Sequence, residues 1–320
     1  EEESSVLVDK TKSGKVRPWR EKKLANVRYF ELLHILEFRK AARVKECGEV
    51  LLFDVNEDGE TMRLVKAFFC KSRLCPLCNW RRSMKLSSQT VRIVGEVLRR
   101  KPKARWLFLT LTVKNVYGGE QLRKSLTEMS QGFNRLMGYK KVKKNLVGYM
   151  RSVEVTVNPT NGSYNQHMHV LLCVESTYFR DKDNYITQKE WTSLWQRAMR
   201  LDYVPVVHIQ AIKPKNEHKS DIRSAVDEVA KYPVKDVDYT TGSQERDMRV
   251  VWDMEVGLHG KRLISYGGLM REIHKELHLD DPEDGDLVRV DDEDDDQVDE
   301  KAYSIVAYWN WAKQNYYVFK

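Results

Sequence analysis

Val147-Gly-Tyr-Met-Arg-Ser-Val-Glu154-Val-Thr-Val157, then Asn158-Pro-Thr-Asn161-Gly162-Ser-Tyr-Asn-Gln166, then His167-Met-His169-Val-Leu-Leu-Cys173-Val174 follow one another without a break. The outer segments are rich in apolar and β-branched residues, and the Asn161-Gly162 pair between them is a strong turn signal. The stretch therefore reads as an antiparallel hairpin. Successive strand residues point to opposite faces, so His167 and His169 share one face while Met168, Val170, Leu172 and Val174 take the apolar side. Pairing symmetric about the turn sets residue 154 opposite 167 or 169, which brings Glu154 to the same face as the imidazoles. Two histidines and a carboxylate suit Mn²⁺ or Mg²⁺, with positions left open for substrate oxygens. Cys173 shares that face but reads as a core residue.

Working outward, Arg105–Val113 (RWLFLTLTV) and a shorter run near 204–212 read as further strands. Residues 24–46, 83–100, 119–138, 186–200 and 219–232 carry helical spacing of their apolar positions. An antiparallel hairpin with strands separated by helices predicts an α+β fold, a five-stranded or similar antiparallel sheet with helices on one face. The expected domains are an N-terminal helical, cysteine-bearing region at 1–100, the sheet domain at 101–240, and a helical C-terminal region at 241–320. That last region holds an acidic loop at 280–300 and ends in an aromatic tail, Tyr303-Ser-Ile-Val-Ala-Tyr308-Trp309, expected to pack back on the body.

The 320 residues hold 55 Lys and Arg against 47 Asp and Glu, a formal net charge of +8. Residues 280–300 contain thirteen carboxylates and one arginine, a net of −12, so the rest of the chain carries +20. A body that basic suggests a polyanionic partner, with nucleic acid first. Hydrophobic content of 41% excludes a disordered or fibrous chain. No apolar run reaches the roughly 18 residues of a membrane span, and no secretory signal is visible, so a cytoplasmic location is expected.

Cys47, Cys70, Cys75 and Cys78 have the spacing of a closed tetrahedral Cys₄ zinc site, usually a structural one. Arg73, Arg81, Arg82 and Lys85 flank its Cys-Pro-Leu-Cys knuckle and are candidate DNA-phosphate contacts. In Glu228-Val-Ala-Lys-Tyr232-Pro-Val-Lys235, the carboxylate and the phenol are neighbours at i and i+4 if helical. A tyrosine beside a carboxylate near a metal is a candidate nucleophile. There is no phosphate-binding P-loop; Gly257-Leu-His-Gly260-Lys261-Arg262 lacks the spacing. The lone His34, His208, His218, His259, His274 and His278 carry no role on sequence grounds.

Together these pieces resemble the HUH endonuclease superfamily and, within it, the rolling-circle plasmid replication initiators (Rep proteins) of Gram-positive bacteria. Phe108-Leu-Thr-Leu-Thr112 resembles the first family motif, Tyr164-Asn-Gln-His167-Met-His169-Val the second, and Glu228-x-x-x-Tyr232-x-x-Lys235 the third. Met168 departs from the branched residue between the histidines. Cys75–Cys78 and Gly260-Lys-Arg262 with Gly267-Gly268 resemble two further family segments. The resemblance spans roughly 40–279. It implies an HUH endonuclease-like sheet domain and a metal held by His167, His169 and Glu154. It implies Tyr232 as the nucleophile that forms a 5′-phosphotyrosine link and leaves a 3′-OH primer. Lys235 would orient the phosphate, and Glu228 would activate water at termination. Tyr239 is a weaker second nucleophile. The implied partners are plasmid origin DNA, as a single-stranded or cruciform nick site, and a host helicase and DNA polymerase. Two other readings stand beside it: an HUH relaxase or transposase, and a non-catalytic zinc-dependent DNA-binding regulator.

Overall fold

The computed structural model describes residues 4–57, 59, 62–212, 226, 229–230, 238–290 and 301–319. The fold is α+β, with two five-stranded antiparallel sheets. The chain divides into two compact units. One comprises Glu1–Ser88, Lys235–Val251 and Asp284–Lys320; the other comprises Gln89–Val234 and Trp252–Glu283.

The second unit carries the hairpin. Its strands are β4 (Arg105–Thr112), β5 (Leu146–Val157), β6 (Tyr164–Val174), β7 (Val207–Ile212) and β8 (Ile264–Gly268), in the order β7-β4-β6-β5-β8. The turn closes as the sequence predicts. Gly162 has φ +70, where a Cβ would be strained, and its N–H donates to the Asn158 carbonyl at 2.9 Å. One face of the sheet is apolar. Leu109, Leu111, Val153, Met168, Val170 and Leu172 are all buried there. Helix α4 (Gly119–Gly138) presents buried Leu122, Leu126, Met129 and Phe133, and Phe133 meets Tyr149 of β5 edge-on at 5.0 Å. The short helix α5 (Lys140–Asn145) leads into β5, and helix α6 (Gln188–Met199) starts with a capping box built by Thr187 and Glu190. Its Trp195 ring donates to the Thr112 carbonyl at 2.8 Å.

Among the described residues, the opposite face is covered at one end by helix α3 (Pro76–Arg100). There Thr90, in the C-terminal half of that helix, shares a hydrogen bond of 2.8 Å with the Tyr266 hydroxyl and reaches the Met150 sulfur. Helix α8 (Leu269–Glu276), which follows helix α7 (Gln244–Leu258), turns directly out of β8. Gly268 allows this turn: at φ +56, a Cβ would stand 2.5 Å from the Val147 carbonyl oxygen.

The first unit holds β1 (Ser4–Val6), β2 (Val50–Asn56), β3 (Met62–Ala67), β9 (Lys301–Asn310) and β10 (Asn315–Phe319), in the order β1-β10-β9-β2-β3. This sheet was not anticipated. The aromatic tail does pack back, with buried Ala307 and Trp309. It does so as a hairpin whose first strand pairs with β2, from Val50↔Tyr308 to Asn56↔Lys301. The C-terminal region is therefore mixed rather than helical. Helix α1 (Trp19–Ile35) lies on the sheet's inner face, where Trp19 packs edge-on against Phe53 and Trp80. The single helix expected over 24–46 is in fact α1 and the short α2 (Ala41–Lys45).

Candidate functional site

The hairpin register assembles the histidine face. Glu154 of β5 stands opposite His167 of β6, and Ser152 stands opposite His169. The Glu154 carboxylate leans diagonally, so that its Oε2 lies 3.1 Å from His169 Nε2. The two imidazole rings are 6.1 Å apart. On the other side β4 continues the rows, with Thr112 opposite His167 and Thr110 opposite His169. Thr110 Oγ1 lies 3.3 Å from His169 Nδ1, and the Phe108 ring stacks on His169 at 5.8 Å. One imidazole is thus held on three sides: by a carboxylate at Nε2, a hydroxyl at Nδ1, and an aromatic face.

One carboxylate and two imidazoles are the donor types that suit a hard divalent cation, and here they sit half-buried on a rigid sheet with Glu154 and His169 in contact. The Thr110 hydroxyl can bond His169 Nδ1 as donor or acceptor. If Nδ1 carries the proton and gives it to Thr110, Nε2 keeps its lone pair toward Glu154 and any shared ion. Sequence reading missed Thr110 and Phe108 as participants. The signal was present, since period-two alternation in Phe108-Leu-Thr-Leu-Thr112 puts 108, 110 and 112 on one face. Cys173 shares the face at its closed end; it is buried, and that burial pushes its thiol up to about 12, which keeps it inert. Glu228, Tyr232 and Lys235 lie outside the described residues. Tyr239 is fully buried in the first unit, and its hydroxyl bonds the Leu74 carbonyl.

The cysteine cluster is the second feature. Among the described residues, Cys47, Cys70, Cys75 and Cys78 are the group whose ligand atoms converge, all within 4.8 Å of one another. None is in a disulfide, and all are buried. The separations are 3.8 Å for Cys47–Cys75, 3.6 Å for Cys47–Cys78 and 3.7 Å for Cys70–Cys78. A tetrahedron with Zn–S bonds of about 2.3 Å has edges of about 3.8 Å, so the sulfurs already stand at zinc-binding geometry. The group can hold a structural metal. Burial pushes the Cys47 and Cys78 thiols up; neighbouring thiols add to it at Cys47, whereas at Cys78 the hydrogen bond with Cys47 works against it. Burial also raises Cys75, but hydrogen bonds with Cys47, Cys70 and Cys78 outweigh it and hold that thiol low. Four thiolates here require a cation among them. Buried Lys23 stands beside the cluster, donating to the Cys47 and Lys45 carbonyls at 2.7 Å each and to Asn26, which in turn donates to Cys75 Sγ at 3.3 Å.

Three of the four cations flanking the knuckle turn away from solvent. Arg81, Arg82 and Lys85 are buried, between 0 and 3% exposed. Arg82 donates to the Ser72 and Lys71 carbonyls. Arg81 donates to the carbonyls of Leu287 and Val288, and Lys85 to that of Asp286. Arg73 pairs with Asp284 at 3.3 Å. Arg81 and Lys85 thus turn inward and anchor residues 286–288 of the acidic segment, Arg82 holds residues 71–72, and part-exposed Arg73 lies beside exposed Asp284. In the second unit the same segment is tied by Arg262 to Asp281 at 2.7 Å, and buried Glu283 accepts from the Leu263 and Ile264 N–H groups. Residues 291–300 lie outside the described residues.

Comparison with known proteins gives the family. The profile of the replication-protein family (Rep_1) matches residues 61–317. A protein rep of Lactiplantibacillus plantarum is 52% identical over 319 residues, covering 99% of this chain and all of the relative. A replication protein of Staphylococcus aureus is 58% identical over 235 residues, which is 73% of this chain and 99% of that one. A protein rep of Streptococcus pneumoniae serotype 2 is 45% identical, covering 99% of this chain and 97% of the relative. No solved structure matches the chain. No helix among the described residues is long and apolar enough to cross a membrane. The matched span takes in β3, the Cys-Pro-Leu-Cys knuckle, the histidine hairpin and most of the C-terminal hairpin, and on that breadth of similarity the chain belongs to the Rep_1 family of replication proteins.

Proposed function

We propose that this protein starts rolling-circle replication of a plasmid by nicking one strand at the double-strand origin and rejoining it later. The observation that carries the reading is the contact of Glu154 with His169, with His167 beside it on the same open sheet face of a replication protein. His167, His169 and Glu154 would hold Mn²⁺ or Mg²⁺, which when bound supplies Lewis-acid polarisation of the scissile phosphate. The protein supplies the rest. The sheet fixes the ligands, Thr110 and Phe108 fix the His169 ring, and the open side admits the DNA strand.

The Tyr232 oxygen attacks phosphorus and loses its proton. The bond from phosphorus to the 3′-oxygen breaks, and that oxygen leaves as a hydroxyl. The products are a 5′-phosphotyrosine link and a 3′-OH primer for a host polymerase, with a host helicase opening the duplex. Lys235 offsets charge on the reacting phosphate. Glu228 activates water to end the round. Zn²⁺ in the cysteine site is structural, and the protein works in the bacterial cytoplasm, where the plasmid is.

The test uses a single-stranded oligonucleotide bearing the origin nick site, incubated with protein and Mn²⁺ and run on a denaturing gel. A protein–DNA adduct that disappears with EDTA and with Tyr232→Phe is expected. Absence of adduct across the whole origin region, with metal-loaded protein, would overturn the reading in favour of a non-catalytic DNA-binding regulator.

A further inference from the structure

The histidine face does not stop at His169. On the far side of β4, Thr110 stands opposite His208 of β7, and Phe108 stands opposite Gln210. Ser152, His169, Thr110 and His208 therefore form one row across four strands, all pointing to the same side. The neighbouring row runs Glu154, His167, Thr112, and it is extended by Val206, whose carbonyl accepts from Thr112 Oγ1 at 2.8 Å. Two strand spacings put His208 about 10 Å from His169. His208 therefore stands at the β7 edge of this row, one strand beyond Thr110 and two beyond His169. It addresses a different part of whatever lies on this face.

The chemistry of β7 says what that is. Val204 and Val206 are 73% and 72% exposed, the highest values for large apolar side chains among the described residues. His208 and Gln210 are exposed beside them. Beyond the strand end, exposed Lys114 lies 4.1 Å over the Tyr203 ring, and its backbone N–H donates to the Tyr203 hydroxyl. Residues 204–212 contain no carboxylate. Apolar area, two hydrogen-bonding side chains and a cation in one strip match a single nucleic-acid strand, which offers base faces, unpaired base edges and phosphates together. A duplex would hide the first two.

We propose that Val206, His208 and Gln210, with Lys114 and Tyr203 at the end of the strip, form the subsite that holds the unpaired nucleotides flanking the cleaved bond. The proposal rests on the nicking reading, since it takes the scissile phosphate to lie at the His167–His169–Glu154 end of the same face. Val206 packs under a base, Gln210 and His208 read its edge, and Lys114 meets a phosphate.

The experiment measures fluorescence anisotropy of a labelled single-stranded origin oligonucleotide in EDTA, where no cleavage occurs. Oligonucleotides with each flanking base replaced are measured alongside. A His208→Ala/Gln210→Ala double variant is expected to bind the origin strand about ten-fold more weakly and to lose discrimination among the replaced flanks. Val206→Asp should weaken binding of every strand. Thermal melting checks that the variants fold. Unchanged affinity and unchanged discrimination would overturn the proposal. So would sedimentation showing that the wild type self-associates through this edge strand and the variants do not. Wild-type adduct formation with Mn²⁺ on the same oligonucleotides separates the two ideas. No adduct sinks the nicking reading, whereas adduct with unaffected variants sinks the subsite alone.

Discussion

The cysteine cluster and the histidine face are both built from metal-ligating side chains, yet they are opposites in construction. The four sulfurs, Cys47 from one stretch of chain and three from Cys70–Cys78, are closed off from solvent and already stand at tetrahedral spacing. Their neighbours are inward-turned polar groups such as Lys23 and Asn26, which leave no position for a substrate. The histidine face is borne by adjacent strands of one sheet. It is half-buried, and its Glu154 and His169 are in direct contact. A closed, four-ligand thiolate site stabilises the fold, whereas an open, three-ligand site on a rigid support leaves positions where chemistry occurs.

The largest loss is expected at the cysteines. Structural zinc in small sites contributes on the order of 10 kcal/mol to folding, comparable with a whole domain's stability. Cys78→Ser should therefore yield protein without bound zinc that melts far below the wild type or does not accumulate folded. Metal analysis and circular dichroism of the purified chain check this. In the wild type, EDTA should stop nicking at once while zinc stays bound, and acidification should release zinc as protons compete for the thiolates. A folded, stable Cys78→Ser protein would mean that the four sulfurs are merely packed thiols.

The histidine face should show the reverse pattern. His169→Ala and Glu154→Gln each remove one ligand from a half-buried surface and leave the apolar face of the sheet intact. Melting temperature should shift little, while the nicking rate falls about 10²-fold to 10³-fold, the usual cost of removing a key transition-state contact. Rates and melting curves measured on the same preparations decide it. A large loss of stability with little loss of rate would make this pair a structural one.

The two regions also differed in how far the sequence revealed them. The face shared by His167, His169 and Glu154 follows from period-two alternation and a turn at Asn161-Gly162, both local. The cysteine spacing is local at Cys75–Cys78 and needed only Cys47 and Cys70 to return. What stayed hidden depends on distant partners. Strand β9 pairs with β2 across some 250 residues of chain, and nothing in Tyr303–Trp309 names Val50–Asn56 as its neighbour. The inward turn of Arg81, Arg82 and Lys85 depends on carbonyls of residues 71–72 and 286–288, so a basic helix that reads as a phosphate surface is instead a clamp. His208 gained a place only through the β4–β7 register.

That clamp makes the next prediction. Arg81 donates to two carbonyls and lies over the Trp19 and Trp80 rings at 5.3 and 5.4 Å. Arg81→Ala should cost about 2–4 kcal/mol by leaving buried carbonyls without their charged donor. Denaturant unfolding measures this. If Arg81 instead touched phosphate, the slope of log affinity against log salt would fall by about one charge. The expected slope is unchanged, and a lower slope in a stable protein would restore Arg81 to the DNA interface.

The smallest effect is also the most specific to the open site. Thr110→Val keeps the side-chain volume and removes only the oxygen at 3.3 Å from His169 Nδ1. Without it the imidazole is free to place its proton on Nε2, the nitrogen that faces Glu154. Partners of this kind are worth about ten-fold to a hundred-fold in metal affinity. Mn²⁺ binding, followed by calorimetry or by the loss of the free-ion resonance signal, should weaken by that factor in Thr110→Val and recover in Thr110→Ser, which restores the hydroxyl. Melting temperature should stay near the wild type in both, because β-branched valine suits the strand. If serine failed to rescue, shape would be the cause rather than the hydrogen bond. If valine changed nothing, the sheet alone would orient the ring, and the open site would be as fixed by its backbone as the closed one is by its four sulfurs.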